Sequence, residues 1–349
     1  MHVDVSVIIP IFNGEKWIDE CFNSILNQTA VNTLNIEVCV CNDASNDKTK
    51  ELLDIWRIKF ESNKISFKVY ENTNDSPNGV GYGKNIAINI SSGTYLCFQD
   101  IDDVMMLDRI LKQYETARDM PDNVLIGTQF IRDPADSTAR YTKWANTLTP
   151  KQLNDQIYTS YGPTVIMPTW FCHRNVFNRI GGFCEDRKGT PEDLIFFYKH
   201  LDINGRIARV DMTLLIYRYH PLATTFSINE QTIWDIRIIR LENKVIQSWR
   251  EFTIWNAGKQ GKKFYRCLKK ENQNKVIALC DVDKKKIGKY YELYDEMNRK
   301  VITKLPIIHF REAKPPFILC VKLDMTDGVF EQNLRSLNLE EGKDYIYFS

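Results

Sequence analysis

The chain has 349 residues, of which 43% are hydrophobic and 26% charged, so it is long enough for two domains and too apolar to be mainly disordered. Its 46 Lys and Arg residues nearly balance 45 Asp and Glu residues, and the net charge of +1 excludes a uniformly basic nucleic-acid-binding protein. No apolar run approaches the roughly 18 residues of a membrane-spanning helix, so no transmembrane helix is predicted.

The first hundred residues alternate short apolar runs with helical spacings. Val5–Ile9 ends at Pro10 and predicts a buried strand, whereas the apolar residues of Glu15–Leu26 recur at helical spacing. The alternation continues over Ile36–Cys41, Thr49–Phe60, Ile65–Tyr70, a helix from about Lys84, and Tyr95–Gln99. Such alternation predicts parallel βαβ units, in which ligands bind beyond the carboxyl ends of the strands. Those ends carry the polar segments Pro10–Gly14, Asn42–Asp47 and Asp100–Asp103.

The rest of the chain predicts a second, smaller α/β domain. Residues 124–220 mix strands and helices, and residues 228–250 have the apolar spacing of one amphipathic helix. The strand–helix pattern then restarts with Phe252–Trp255, a helix through Leu268, and Lys275–Cys280. We therefore expect a domain over residues 1–227, a helical connector over 228–250, and a small Rossmann-like domain over 251–349.

Three aspartates follow the strand that ends at Gln99, in the order Asp100-Ile101-Asp102-Asp103. Carboxylates at the end of a buried strand are unfavourable without partners, and three within four residues repel one another. A hard divalent cation such as Mg²⁺ or Mn²⁺ would relieve that repulsion, and it typically bridges such carboxylates to substrate phosphates. The alternative is an acidic loop that only caps the next helix.

A series of motifs occurs in an ordered arrangement along the first two thirds of the chain. The motifs are Val5–Asn13, Asn42–Asp47, Gly83–Asn85, Asp100–Asp103, Gly181–Phe183, Pro191–Asp193 and Tyr217–His220. Together they resemble the inverting family 2 glycosyltransferases of the GT-A fold, over about residues 5–225. The resemblance implies an α/β fold, with a GT-A nucleotide-sugar-binding (Rossmann-like) domain beside the smaller C-terminal α/β domain. It also implies a UDP-sugar donor and a divalent cation, Mn²⁺ or Mg²⁺.

The resemblance assigns the uracil pocket to the first two strand ends. It implies that Pro10, Phe12 and Asn13 wall this pocket and that Asp43 pairs with the uracil ring. The family usually has two acids there, but this chain has Asn42 at the first position, so Asp43 must serve alone. The alternative for Asp43 is an Asx turn with no ligand.

The diphosphate end of the donor is assigned in the same way. Lys84 stands where the family often has Arg, and it would neutralise the nucleotide without the bidentate guanidinium fork. Asp100 would meet the ribose, and Asp102 would hold the metal ion on the diphosphate. His220 is a possible further metal or phosphate contact, with a structural histidine as the alternative.

The late acidic pair, Glu192 and Asp193, matches the family position of the general base, and we favour Asp193. The base would take a proton from the acceptor hydroxyl as that hydroxyl attacks the anomeric carbon of the sugar. One displacement would turn an α-linked donor into a β-linked product. The alternative for Asp193 is an N-cap of the following helix, after Pro191.

Longer segments resemble a narrower group, the queuosine-tRNA galactosyltransferases. These segments are Arg140–Trp144, Gly162–Cys172, Phe252–Gly261 and Asn333–Leu337. This resemblance implies transfer of galactose from UDP-galactose to the queuosine base at the wobble position of tRNA-Tyr, and therefore a queuosine-containing tRNA as partner.

Basic residues are concentrated near the start of the second domain. Lys259–Lys289 contains 11 Lys or Arg residues against three acidic ones, whereas residues 1–251 carry a net charge of −5. This asymmetry favours a small domain that meets a polyanion, with a solvated lysine-rich surface as the alternative. The candidate phosphate contacts are Lys259, Lys262, Lys263 and Arg266. An unstacked acceptor base would lie on Trp144 or Trp170, either of which could instead belong to the core.

Two other functions stay open. One is a β-1,3-N-acetylglucosaminyltransferase acting on a glycan or protein, and the other is a non-catalytic tRNA-binding protein. The N-terminus lacks the basic start and the apolar stretch of about 7–15 residues of a secretory signal, and the nine cysteines form no CxxC pair. We therefore expect a cytoplasmic protein with no membrane association. Gly258-x-x-Gly261 also resembles an incomplete dinucleotide-binding fingerprint.

Overall fold

A computed structural model describes residues 2–186, 189–295 and 299–349. The chain forms two compact units. The first comprises residues up to Leu153 together with Gly162–Asn229, and the second comprises Asn154–Tyr161 together with Glu230–Ser349. Among the described residues, no helix has both the length and the apolar character needed to cross a bilayer.

Strands and helices alternate through the first unit, as the sequence predicts. The elements up to residue 218 are β1 (Val5–Ile11), α1 (Ile18–Leu26), β2 (Ile36–Asn42), α2 (Thr49–Ser62), β3 (Ser66–Glu71), α3 (Val80–Asn89), β4 (Tyr95–Phe98), β5 (Val104–Met105), α4 (Arg109–Arg118), β6 (Val124–Asp133), α5 (Ala139–Thr147), α6 (Gln152–Asp155), β7 (Phe171–His173), α7 (Arg174–Ile180), α8 (Glu192–Asp202) and β8 (Arg206–Arg218). The strands form one eight-stranded sheet in the order β3-β2-β1-β4-β7-β6-β8-β5. Strands β3, β2, β1 and β4 pair in parallel, whereas β7 pairs antiparallel with both β4 and β6.

Helices α1 and α2 pack together on the sheet through an aromatic cluster. Phe22 of α1 contacts Trp56 and Phe60 of α2 and Phe67 of β3, with ring centroids 5.5–5.7 Å apart. Each such side chain contributes roughly 1.5–3 kcal/mol when it is fully buried. Strands β1 and β2 are buried along almost their whole length, which explains their continuous apolar runs. The core thus holds the carboxyl ends of β1, β2 and β4 at one edge of the sheet.

Helix α3 begins four residues before the predicted start near Lys84. The first turn of α3 was not predicted because it contains Gly81 and Gly83, and glycine has a low helix propensity. A Cβ at Gly81 would lie 2.0 Å from the carbonyl oxygen of Cys184, and one at Gly83 would lie 2.9 Å from the Cβ of Pro10. Both glycines therefore allow α3 to approach neighbouring backbone and β1 closely.

The second unit has its own sheet. Its elements are α9 (Glu230–Lys244), β9 (Phe252–Trp255), α10 (Lys259–Cys267), α11 (Lys270–Gln273), β10 (Val276–Asp281), β11 (Tyr290–Asp295), β12 (Lys300–His309), β13 (Phe317–Leu319), α12 (Val329–Arg335) and β14 (Tyr345–Tyr347). The strand order is β11-β12-β10-β9-β13-β14, and only the β11–β12 pair of these neighbours is antiparallel. This arrangement confirms the predicted second α/β domain.

Helix α9, predicted as part of a connector over residues 228–250, belongs to the second unit. Arg237 is fully buried, its guanidinium donates to the carbonyl oxygen of Ser349 at 3.1 Å, and it lies 4.5 Å from the ring centre of Phe348. Trp234 packs edge-on against the same ring, with centroids 4.9 Å apart. Because these contacts tie α9 to the C-terminal residues, the helix is not a separate connector.

Candidate functional site

The segment Asp100–Asp103 after β4, which we call the acidic loop, is held by a buried polar network. Arg109 donates to Gln99 Oε1 at 2.6 Å and to the carbonyl oxygen of Phe98 at 2.7 Å. Gln99 in turn donates to the carbonyl oxygens of Asp100 and Asp103, each at 2.9 Å. Arg109, Gln99 and Asp103 are fully buried. Hydrogen bonds from the buried side chains of Gln99 and Arg109 therefore fix the backbone of the acidic loop.

The three carboxylates of this loop converge. One oxygen from each of Asp100, Asp102 and Asp103 lies within 4.8 Å of the others. Burial raises the pKa of Asp100 to about 7, with the Asp102 charge adding to the effect and the Lys84 charge opposing it. Burial and the two neighbouring carboxylates raise the pKa of Asp103 well above its ordinary value. Such a cluster of oxygen ligands suits a hard divalent cation.

His220 joins this cluster from the segment after β8. Its Nε2 lies 2.8 Å from Asp102 Oδ2, and its ring packs against Trp17 with centroids 4.9 Å apart. Within the described part of the chain, His220 Nδ1 and Asp103 Oδ2 are buried and have no hydrogen-bond partner. The structure brings the two predicted metal ligands, Asp102 and His220, together. It adds Asp100 and Asp103 to the same group.

Arg218 is a site residue that the sequence did not predict. Its backbone N–H donates to Asp103 Oδ1 at 2.9 Å, and its guanidinium donates to the carbonyl oxygen of Asp102 at 3.0 Å. The guanidinium also pairs with Asp133 at 3.3 Å and with Glu20. Arg218 lies inside the Tyr217–His220 motif, but these partners are 85 to 198 residues away, so its own role could not be derived from local spacing.

Asp43 is buried at the end of β2 and holds the start of α3. Its Oδ1 accepts from Asn72 Nδ2 at 2.7 Å, and its Oδ2 accepts from the backbone N–H groups of Asn78 and Gly79 at 2.8 Å. Because these partners are 29 to 36 residues away, a local Asx turn does not account for Asp43. A carboxylate offers about four acceptor positions, so one remains on this side chain. Pairing of Asp43 with uracil stays a prediction.

The loop after β1 presents one open aromatic ring. Phe12 is 48% exposed. The side chain of Asn13, by contrast, is hydrogen-bonded to the loop after β2. Asn13 Oδ1 accepts from the N–H of Asn46 at 2.9 Å, and its own N–H donates to Ser45 Oγ at 2.8 Å. Asn13 adopts φ +55°, a left-handed conformation that Asn tolerates better than most residues. Phe12 and the partly buried Pro10 are therefore better placed than Asn13 to touch a base.

The Lys84 side chain has no solvent-exposed surface, which its predicted contact with the nucleotide would require. The side chain is fully buried, and its Nζ lies 2.7 Å from Glu192 Oε1 and 5.2 Å from the ring centre of Phe183. The prediction of direct nucleotide neutralisation by Lys84 is therefore corrected, and Glu192 becomes the buried partner of Lys84. The ammonium still supplies positive charge beside Asp100 and Asp193.

Removing Lys84 should destabilise the fold. Lys84→Met leaves the Glu192 carboxylate buried without its partner, and breaking a buried pair in this way costs about 3–5 kcal/mol of unfolding free energy. Lys84→Met combined with Glu192→Leu should recover most of that loss, which urea unfolding would measure. A single variant within about 1 kcal/mol of the wild type would show that the pair is not structural.

Asp193 lies in the first turn of α8. The helix begins at Glu192 after Pro191, so Asp193 is not the N-cap residue. Its Oδ1 accepts from the N–H of Leu194 at 2.7 Å. Burial, followed by the charge of Glu192, raises the pKa of Asp193 to about 6, although the Lys84 charge acts in the opposite direction. Such a carboxylate is ionised at neutral pH and basic enough to accept a proton.

One of the two predicted acceptor rings lies in the core. Trp170 is fully buried, its Nε1 donates to the carbonyl oxygen of Val165 at 2.9 Å, and its ring packs on Phe196 and Phe197. Because it has no open face, Trp170 cannot stack on an acceptor base, and that prediction is wrong. Trp144 is only partly buried, and its role stays a prediction.

The basic candidates of the second unit share one face of α10, namely Lys259, Lys262, Lys263 and Arg266. Lys259 and Arg266 are exposed. The Nζ of Lys262 lies 5.5 Å from the ring centre of Tyr291, so its stem covers apolar surface. The contact of this face with tRNA stays a prediction.

The glycines at the start of α10 have a structural explanation. A Cβ at Gly261 would lie 1.9 Å from the carbonyl oxygen of Asn256. Asp281, at the end of the neighbouring strand, already accepts four hydrogen bonds, from the N–H groups of Ala257, Val282 and Asp283 and from Lys286 Nζ. Asp281, the acid about 20 residues after these glycines, therefore has no acceptor position left for a ribose hydroxyl.

Comparisons with known proteins connect the chain to one family. Residues 6–181 match the family model for glycosyl transferase family 2. The glycosyltransferase GlyG of Streptococcus pneumoniae is 30% identical over 132 residues, and the poly(ribitol-phosphate) β-glucosyltransferase of Bacillus spizizenii is 31% identical over 123 residues. These alignments cover 38% and 35% of this chain and 41% and 18% of the relatives. The chain thus spans less than half of either relative.

A solved structure is similar over more of the chain. Staphylococcus aureus TarS 1–349, in complex with UDP-GlcNAc, is 19% identical with a TM-score of 0.51. The superposition covers 78% of this chain and 72% of that chain. The likeness confirms the predicted α/β GT-A fold, and at this identity it concerns the fold alone.

Proposed function

Because this chain belongs to glycosyl transferase family 2, we propose that it transfers galactose from UDP-galactose to the queuosine base at the wobble position of tRNA-Tyr. One observation carries the enzymatic part: the carboxylates of Asp100, Asp102 and Asp103 converge, and Lys84 links them electrostatically to Asp193. The galactose donor and the queuosine acceptor follow from the narrower sequence resemblance.

We assign the uridine of the donor to Phe12 and Asp43. The exposed Phe12 ring offers a stacking surface for uracil. The remaining acceptor position of Asp43 would take the ring N–H, in addition to the three hydrogen bonds that it already accepts. These contacts recognise the uracil base, so selectivity for the sugar of the donor depends on other residues.

The proposed reaction is a single displacement. Asp193 accepts the proton of an acceptor hydroxyl as the hydroxyl oxygen bonds to the anomeric carbon. The bond between that carbon and the UDP oxygen breaks, and its electron pair leaves with the diphosphate. Inversion at the carbon converts the α-linked donor into a β-linked product.

Asp100, Asp102, Asp103 and His220 would hold the divalent cation, Mn²⁺ or Mg²⁺. When bound, such an ion neutralises the charge that develops on the diphosphate. The unpartnered Asp103 Oδ2 supports this assignment, because buried polar atoms are rarely left without a partner, and His220 meets the cluster through its Nε2. Arg218 holds the acidic loop in place through its hydrogen bonds to Asp103 and to the carbonyl oxygen of Asp102.

A donor and acceptor matrix tests the proposal. The purified protein would be incubated with UDP-galactose, UDP-glucose or UDP-N-acetylglucosamine, and with tRNA-Tyr that carries either queuosine or guanosine at the wobble position. We expect acceptor-dependent UDP release only from UDP-galactose with the queuosine tRNA. In parallel incubations with a glycan or a protein as acceptor, transfer from UDP-N-acetylglucosamine would contradict it. Binding of tRNA without UDP release would favour the non-catalytic alternative.

We also propose that the basic face of α10 binds tRNA phosphates. Reversing the charge at Lys262, Lys263 and Arg266 should raise the KM for tRNA and flatten its salt dependence, because each lost phosphate contact reduces the slope by about one. Hydrolysis of UDP-galactose without tRNA should not change. Steady-state kinetics at several salt concentrations would measure both effects.

The matched control reverses three exposed charges of the first unit, at Lys50, Arg57 and Lys64. Lys262 and Lys263 are half-buried, so a second variant reverses only the exposed Lys259 and Arg266 in case the first does not fold. If both α10 variants keep the wild-type KM and salt slope, the basic face is only a solvated surface.

A further inference from the structure

An arginine and several aromatic rings form a connected group at the ends of β6 and β8. Arg132 of β6 is in register with Tyr217 of β8, and its guanidinium carbon lies 3.8 Å from the ring centre of Tyr217. The same carbon lies 5.9 Å from the ring centre of Tyr219, because residues two apart on extended chain project to the same face. Tyr219 packs edge-on against Phe226, with centroids 5.5 Å apart. We call Arg132, Tyr219 and Phe226 the aromatic patch.

The aromatic patch is exposed. Tyr219 is 43% and Phe226 is 55% exposed, and Leu222 between them in the sequence is 85% exposed. Tyr219 and Phe226 contact one another as well as being exposed, and adjoining exposed apolar side chains are candidates for a binding surface. The Arg132 guanidinium donates to Thr138 Oγ1 at 3.0 Å and to the carbonyl oxygen of Arg218 at 3.4 Å, and within the described part of the chain these are its hydrogen-bond partners. The patch therefore combines open ring surface with a positive charge.

The position of the patch relates it to the acidic loop. Tyr219 stands in the chain between Arg218 and His220. The N–H of Arg218 donates to Asp103, and the ring of His220 contacts Asp102. Tyr219 thus belongs to the same short chain segment as the residues that we assign to the metal ion.

We propose that the aromatic patch stacks an unpaired base that neighbours the modified base in the tRNA anticodon loop. This inference rests on the proposed function and names a contact for its acceptor. Unpaired bases are recognised by aromatic side chains and by guanidinium planes, which the patch supplies together. The charge of Arg132 complements a polyanion and has no counterpart in a neutral glycan. Trp170, buried in the core, cannot fill this role.

Alanine substitutions in the full chain test the patch. Tyr219→Ala and Phe226→Ala should each raise the KM for queuosine tRNA roughly tenfold, the usual effect of one lost stacking partner. Tyr219→Phe and Phe226→Trp keep a stacking ring and should retain the wild-type KM. Ile58→Ala, at a position 71% exposed on α2, is the control for removing surface apolar area. Hydrolysis of UDP-galactose without tRNA should stay unchanged in all five variants.

Fluorescence gives a second readout. An anticodon stem-loop RNA with 2-aminopurine beside the wobble base should lose fluorescence on binding the wild type and much less on binding the alanine variants. If the wild type modifies tRNA but both alanine variants keep its KM and quenching, the patch assignment is overturned and the proposed function stands. If the wild type neither binds nor modifies tRNA, the proposed function itself fails. Should Tyr219→Ala not fold, Phe226→Ala, with the more exposed ring, carries the test.

Discussion

Replacing Asp102 with Asn should abolish sugar transfer and leave the fold intact. Asp102 is one of three converging carboxylates and also contacts His220, so its loss removes a charged ligand from the proposed metal site. Charge neutralisation by a bound ion contributes several kcal/mol, which corresponds to a loss of at least ~10²-fold in turnover. The Asp102 charge raises the pKa of Asp100 and Asp103, so its removal relieves repulsion in the folded state. Turnover and the thermal unfolding temperature, measured together, test both statements.

The control for this variant is Asp54→Asn, at an exposed position on α2. Mn²⁺ with UDP should raise the unfolding temperature of the wild type and of Asp54→Asn, because a ligand that binds only the folded state stabilises it. Asp102→Asn should show a much smaller rise. Near-normal turnover of Asp102→Asn, or full activity of the wild type in EDTA, would refute the metal assignment.

Replacing Asp193 with Asn should reduce kcat by about 10²–10⁴-fold, the usual contribution of a general base. Affinity for the UDP-sugar should change little, because Asp193 acts on the acceptor proton. The pKa of Asp193 is raised to about 6, so the wild-type base is protonated and inactive at lower pH. The kcat of the wild type should therefore fall as the pH drops through about 6, and that step should be absent from the residual activity of Asp193→Asn.

Glu192→Gln provides the matched variant on the neighbouring residue. The Glu192 charge raises the pKa of Asp193, so its removal should move the pH step of kcat to lower pH without abolishing activity. Because Glu192→Gln also leaves Lys84 buried without its charged partner, this variant should be less stable than the wild type, and its kinetics are measured well below its unfolding temperature. Steady-state kinetics across pH and direct measurement of UDP binding would distinguish the two variants. A large loss of UDP binding in Asp193→Asn with turnover preserved would place Asp193 in the donor site instead.

Much of the first unit could be predicted because its signals are local. Strands β1 and β2 are buried on both faces and have continuous apolar runs, so Val5–Ile9 and Ile36–Cys41 fall within the observed strands. Three aspartates within four residues after β4 must lie near one another, and one oxygen from each lies within 4.8 Å of the others. The antiparallel pair β11–β12 was not predicted, because pairing in a sheet depends on partners elsewhere in the chain.

The parts of the site that could not be predicted depend on contacts distant in the sequence. Asn72 reaches Asp43 across 29 residues, and Lys84 reaches Glu192 across 108 residues. The family resemblance assigns Lys84 to the nucleotide, whereas tertiary packing buries its side chain. Trp170 shows the same limit, because an aromatic residue in a motif is compatible with either a core or a binding site until its neighbours are known.

The most direct test of the account is mass spectrometry of the nucleosides from queuosine-containing tRNA-Tyr, after incubation with the wild-type protein, Mn²⁺ and UDP-galactose. We predict that queuosine gains the mass of one hexose, and that this product is absent with Asp102→Asn and with Asp193→Asn. Unmodified queuosine after incubation with an active, folded wild type would contradict the proposed acceptor. A hexose found on another nucleoside would contradict it equally.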